Sequence, residues 1–442
     1  MRKNLLISKI TSVILAAMLA FAYTAAIVYA DAPSGSGTPE EPYIVKTAEE
    51  LLALGEMEEV GYVRLDADID MSGVTGKSCI IQKLTGEFDG NGHTISNLEL
   101  EGKANASIGF ISELKGNVLE VNFESISIED GISNGSIVGI IAGCIPEGSN
   151  VLIEKCAVNG KITNKTSGSI YIGGLIGRAG MTNSDTDLKI TSCISDVTIA
   201  CARSNYAGGI LGFAQYKATV DISKCSILGN IKGSGANSCG IVGYYQTTMK
   251  LKISDVCLES KIDGKNNYGI AYNSFGVPAE FVCDGFYYDN DLNKPTYSSF
   301  LLFKKTTGLD LSKCYAKKTD ELKSLELDGF AIIDGKYNGY PVPVWTAAPE
   351  PEPDYPFSVK LDADNNVLVS VPVEGNYYII FAAYDDENGM ISLSAEKKDF
   401  NIGENQKVTP SDEFNPAGAA KIRAMLWSSP VDVCPLTEAD EK

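Results

Sequence analysis

GGLIG at 173–177 decides the fold, because the chain keeps returning to it. The same short pattern reads IGFIS at 108–112, VGIIAG at 138–143, GGILG at 208–212, CGIVG at 239–243 and YGIAY at 268–272. Aligned on Gly109, Gly139, Gly174, Gly209, Gly240 and Gly269, it recurs at steps of 30, 35, 35, 31 and 29 residues. A second motif keeps pace with it, as IEKCAVNGKIT at 153–163, ITSCISDVTIA at 190–200, ISKCSILGNIK at 222–232 and ISDVCLESKID at 253–263. Cys156, Cys193 and Cys225 share one position of that motif, and Cys257 falls one residue out of phase.

Both motifs read as strands. Apolar or Cys residues interleave with polar ones, as in Ile222, Lys224, Cys225, Ile227 and Ile231, with a turn near Gly229-Asn230. Proline is absent from 147 to 277 and no amphipathic helical stretch interrupts the series. Short strands at a fixed period cannot each bury a core alone, but coils stacked on one another can. A β-propeller needs about 40–50 residues per blade, so steps near thirty favour one coil per repeat. The expected fold is all-β: a right-handed parallel β-helix of six coils. The glycines are expected at tight corners, where a side chain would strike the neighbouring coil or φ must be positive.

The ends of such a stack need covers, because open strand edges pair with other chains. Thr47-Ala48-Glu49-Glu50 has capping-box spacing ahead of Leu51, Leu52 and Leu54, which predicts a short helix at 47–58 closing the first coil. At the other end Pro341-Val342-Pro343 is expected to stop ladder pairing, with Trp345 packed on the last coil. Residues 346–355 (TAAPEPEPDY) read as a Pro/Glu-rich linker. Beyond it, over 356–442, alternating strands at FSVKLDA, NNVLVSVPV, NYYIIFAAYDD, MISLSAEKKDF and AAKIRAMLWSS have the spacing of a small immunoglobulin-like β-sandwich.

Residues 1–30 read as a signal peptide. Arg2, Lys3 and Lys9 precede an apolar run ending Val28-Tyr29-Ala30, with cleavage before Asp31. The β-helix with its N-terminal capping segment then covers 31–345. Membrane association is expected only if that leader stays uncleaved. The formal charge of −20 falls to −23 once the three leader cations are removed, which argues against nucleic acid and anionic surfaces as partners. One histidine in 442 residues makes His-based metal sites, Ser-His-Asp triads and Cys-His dyads improbable. Eleven cysteines would ordinarily indicate disulfides in an exported chain. Their place inside an apolar repeat favours reduced, buried thiols that stack from coil to coil.

The residues also carry a resemblance. Gly173-Gly174-Leu175-Ile176-Gly177 and its variants, following a Cys-bearing strand, resemble the GLUG motif of bacterial secreted and surface proteins. SGSGTPEEPYIVKTAEELLAL at 34–54, YVRLDADIDMSG at 62–73 and FDGNGHTISNLEL at 88–100 resemble the N-terminal capping module of those β-helices. DGFAIIDGKYNGYPVPVW at 328–345 resembles their closing segment. The C-terminal domain is similar to an accessory sandwich at the ends of secreted proteins of Gram-positive anaerobes. The resemblance implies architecture and an extracellular or cell-surface location more than an activity.

No catalytic, cofactor-binding or metal-ligating residue stands out. His93 sits in the turn Asp89-Gly90-Asn91-Gly92 and reads as structural. Asp66, Asp68 and Asp70 alternate with Leu65, Ala67 and Ile69, as carboxylates on a solvated strand face do. The glycine of a calcium loop is replaced there by Met71. Tyr206, Tyr216, Tyr244, Tyr245 and Tyr268 lie near the recurrent turns without a common position in the repeat, so corner packing is their expected role. The sequence therefore favours a non-enzymatic, adhesive protein whose partners are extracellular glycans or surface proteins, with no cofactor. A carbohydrate-active enzyme on the same scaffold is the alternative, which needs a pair of convergent carboxylates in a cleft. An architectural stalk is the third reading.

Overall fold

The computed structural model describes residues 32–346, except 182–184, 203–204, 234–236, 265 and 294–300. It also describes 358–441, except 363–365, 372–374, 387–388, 401–402, 411–413 and 428–439. The leader and the linker beyond Thr346 lie outside the described residues. Two compact units emerge, 1–347 and 348–442.

The first unit is a parallel β-solenoid of about seven turns, more than the six recurrences of the glycine motif. The cysteine-bearing motif builds an 18-stranded sheet and the glycine motif a 13-stranded one, counted among the described residues. Coil stacks on coil in parallel register. Ile153 pairs with Ile190, Ile190 with Ile222, Ile222 with Ile253 and Ile253 with Cys283. This column points inward, and each fully buried isoleucine contributes about 1.5–3 kcal/mol. Cys156, Cys193 and Cys225 form a second inward column, each thiol donating to the carbonyl two residues before it at 3.1–3.3 Å, and the column continues as Val256, Phe286 and Cys314. Cys257 stands opposite Ser226, in the neighbouring column that faces out of the coil. Both columns are dry, and burial pushes the Cys193 and Cys257 thiols well up.

The six aligned glycines occupy two columns rather than one. Val138 pairs with Ile108 and with Ile172, so Gly139 lies between Gly109 and Gly173, not beside Gly174. Gly173 and Gly208 continue this first column. A Cβ on Gly173 or Gly208 would lie 2.6 or 2.5 Å from the nitrogen of Gly212 or Gly243, on the other strand of the next coil. Gly174, Gly209 and Gly240 form the second column. A Cβ on any of them would sit 2.2–2.3 Å from the next glycine's carbonyl oxygen. None of these has positive φ, so close approach, not backbone handedness, is what selects glycine here.

At the N-terminal end a helix spans Ala48–Leu54, shorter than the expected 47–58, with Gly55 as its C-cap. Thr47 Oγ1 accepts from Glu50 N, the Glu50 carboxylate accepts from Thr47 N, and Leu51 and Leu54 enter the core. The closing segment departs from expectation. Pro341–Pro343 does not end the ladder on the last coil but pairs antiparallel with Phe330–Ile332. This hairpin lies along the flank of the cysteine sheet, where Ser226 Oγ donates to Pro341 O at 2.9 Å and Lys224 Nζ meets Asp328 at 3.1 Å. Positive φ at Tyr337, Asn338 and Gly339 turns the chain back toward it. Trp345 is half-buried and its indole nitrogen is sequestered without a partner among the described residues.

Among its described residues the second unit holds a three-stranded sheet (358–361, 367–371, 403–408) and a four-stranded one (375–384, 390–400, 421–427, 440–441), both antiparallel. Val359, Val367 and Val369 share one core with Ile379, Phe381 and Ala424. Gly403–Val408, a polar stretch that does not read as a strand, supplies the third strand of the smaller sheet.

Candidate functional site

The outer face of the glycine-motif sheet carries a belt of rings. Strand alternation sends Ile172 inward and Tyr171 outward, and likewise Ala207 inward and Tyr206 outward. Tyr171 and Tyr206 are register partners, with Asn237 next. On the second strand of each coil Arg178, Phe213 and Tyr244 form another outward column. The glycines between these strands let the columns meet. The Tyr171 ring stacks on Phe213 of the next coil at 4.4 Å and 19°, and Tyr206 meets Tyr244 at 4.8 Å with the rings tilted by 49°. Along the stack Tyr171 lies 5.4 Å from Tyr206 and Phe213 5.3 Å from Tyr244. Tyr272 extends the belt 6.1 Å beyond Tyr244, with Lys304 Nζ 5.3 Å from its centroid. Phe275, three residues on, is 78% exposed.

Phe213 is buried as the floor, whereas Tyr171, Tyr206, Tyr244 and Tyr272 are half-buried and keep one edge or face toward solvent. Burial raises the hydroxyl pKa of Tyr171, Tyr206 and Tyr244, so all three remain neutral hydrogen-bonding groups at physiological pH. Apolar ring faces beside neutral hydroxyls suit a ligand with C–H faces and hydroxyl edges.

The tyrosines singled out in the sequence separate into different environments. Tyr206 and Tyr244 belong to the belt. Tyr245 points into the core and donates to Gly276 O at 2.9 Å. Tyr268 is buried against Tyr272. Tyr216 occupies a turn with φ of 45°. Sequence reading missed Tyr171, Phe213 and Tyr272. For Tyr171 and Phe213 the signal was present as two offsets, three residues before the second-column glycine and four after it, rather than the single offset sought, whereas Tyr272, three residues after Gly269, fits neither.

Acidic groups are arranged differently. Asp66 pairs with Lys46 at 3.1 Å, Asp68 with His93 Nδ1 at 3.1 Å and Asp70 with Asn97 at 2.9 Å. Each ties to its own neighbour and they do not converge. A cleft of about 370 Å³ is lined by Glu99, Glu101, Glu129, Asp130, Thr75 and Ser127. Three of those carboxylates are exposed, and Glu129 is ion-paired with Lys161 at 2.7 Å. Glu259 is 3% exposed and neither carboxylate oxygen has a hydrogen-bond partner among the described residues. Its pKa is pushed well up, first by burial and then by Asp289 and Asp196. Asp289 is fully engaged, accepting from the Asp291 and Leu292 amides, Thr319 Oγ1 and the Tyr340 hydroxyl. These two carboxyls lie beneath the closing segment, out of reach of a polymer. Among the described residues no cluster of three His, Cys, Asp or Glu is placed to hold a metal, and no helix is long and apolar enough to cross a membrane.

No protein-family model matches the chain. Over 211 aligned positions, covering 45% of the chain, the sequence is 29% identical to halomucin of Haloquadratum walsbyi, and the match spans only 2% of that protein's length. The fold is similar to the crystal structure of a protein from Bacteroides ovatus provisionally named an immunoglobulin A1 protease. The TM-score is 0.53 at 22% identity, covering 71% of this chain and 95% of that one. At that identity the likeness is one of fold: the chain shares the β-solenoid of that protein.

Proposed function

We propose that this is a secreted or surface-displayed β-helical protein of the GLUG type, and that its aromatic belt binds uncharged extracellular glycan without catalysis. One observation carries the reading: four half-buried tyrosines, Tyr171, Tyr206, Tyr244 and Tyr272, form a continuous row across successive coils on a Phe213 floor. A repeating row matches a repeating ligand, and each sugar stacked on a ring adds affinity that a single site lacks. The acidic balance of the chain favours neutral sugars over anionic ones. The leader and the match to halomucin support an extracellular location. A glycan array probed with the mature chain tests this. Binding to neutral polysaccharide, reduced at least tenfold in Tyr206→Ala/Tyr244→Ala, is expected; binding that the double variant leaves unchanged would remove the belt from the account.

The second reading is an enzyme on the same scaffold. It is favoured by the carboxylate-lined cleft at Glu99, Glu101, Glu129 and Asp130 and by the name of the Bacteroides protein. Turnover of a polysaccharide or protein substrate that Glu101→Gln/Asp130→Asn abolishes would establish it.

A further inference from the structure

The C-terminal end of the solenoid holds two cysteines where the core columns run out. One inward column reads Val118, Ile153, Ile190, Ile222, Ile253 and then Cys283. The other ends Val256, Phe286 and then Cys314. The strand Cys314–Lys317 covers Phe286–Asp289 of the coil below but leaves Cys283 beside its edge. Gly285, with φ of 106°, turns the chain between Cys283 and Phe286. The two sulfurs thereby come to 3.6 Å. Both side chains are half-buried, unlike those of Cys156, Cys193, Cys225 and Cys257, which solvent does not reach.

We infer that Cys283 and Cys314 are a disulfide-forming pair that staples the final coil to the stack. Bond formation requires the sulfurs to close by about 1.5 Å, to the 2.05 Å of a disulfide, which side-chain rotation at a half-exposed edge can supply. The contact with the Cys314 sulfur holds the Cys283 thiol below its usual pKa, which favours Cys283 as the first of the pair to attack. Its thiolate displaces one thiolate from a low-molecular-weight disulfide, forming a mixed disulfide. The Cys314 thiolate then attacks the Cys283 sulfur and expels the second. Two protein thiols are oxidised, the small disulfide is reduced to two thiols, and the electrons balance. The buried cysteines, with pKa values raised by burial, take no part. The staple closes a loop of about 30 residues, which removes freedom from the unfolded chain.

The full mature chain, equilibrated with oxidised glutathione, alkylated while folded and digested, tests this by mass spectrometry. Peptides carrying Cys283 and Cys314 are expected to be joined, lighter than their sum by two hydrogen atoms, with the buried cysteines alkylated only after unfolding. The oxidised chain is expected to unfold several degrees above the reduced one. In Cys283→Ser, which changes a half-exposed position, Cys314 should become alkylatable in the folded protein and the thermal gain should vanish. Separate alkylation or glutathionylation of Cys283 and Cys314 in the oxidised wild type would overturn the pairing. A bridged chain that unfolds with the reduced one would overturn the staple.

Discussion

A methyl group on Gly209 would lie 2.3 Å from the Gly240 carbonyl oxygen and 2.6 Å from the Ile227 side chain. Backbone on one side and core on the other leave it nowhere to go. Gly209→Ala is therefore expected to cost about 1–3 kcal/mol, the range for overpacking, read as a lower urea midpoint with an unchanged m-value. Glu259 makes the opposite kind of test, because its cost depends on pH. Burial raises its folded pKa, so the folded chain holds a proton that the unfolded chain releases near pH 4.3. The stabilisation is complete below that pH and is lost as pH rises through the folded pKa. Urea midpoints measured from pH 4 to 7 should fall more steeply for the wild type than for Glu259→Gln, and parallel curves would show that Glu259 titrates normally. Nothing in LESKID marked that carboxyl as buried. It is enclosed by the closing segment, 69 to 86 residues further along, and such coverage leaves no local trace.

At the scale of elements, the parts governed by local chemistry were legible and those governed by packing were not. The Thr47 capping box is a pairing between residues three apart, and it forms with both of its hydrogen bonds. The strand alternation around Cys193 and Cys225 is likewise local. The closing hairpin is different, since Pro341 and Pro343 exclude a ladder partner on one side but do not say where the segment comes to rest. The Tyr340 hydroxyl, 2.8 Å from Asp289 Oδ2, is its anchor on the last coil. Tyr340→Phe should cost about 1–3 kcal/mol, because a buried carboxylate loses one of its donors. Faster limited proteolysis within 328–345 is the accompanying signature, and an unaltered cleavage rate would mean that the hairpin is held by its apolar contacts alone. Glycine alignment failed in an instructive way. VGIIAGC carries one residue more than GGLIGR between its glycine and the outward Cys144/Arg178 position, so matching by motif placed Gly139 one column from where stacking puts it.

Across the whole molecule, the period of about thirty residues dictated a stacked all-β architecture, and the fold follows from it. The proposed binding face lies on the outside of the stack, where neighbours come from different coils. Tyr171 meets Phe213, 42 positions away, and no window of one repeat contains both. The belt is thus a property of stacking, invisible until register is known. It is also the part of the account that stands or falls most directly by one experiment. Oxidative footprinting of the mature chain, with and without a neutral polysaccharide that it binds, reads each tyrosine separately. Protection of Tyr171, Tyr206, Tyr244 and Tyr272, with Tyr216 and Tyr315 unchanged, is the predicted result. Binding that leaves those four rings as reactive as before, or that protects only residues around the cleft at 99–130, would contradict it.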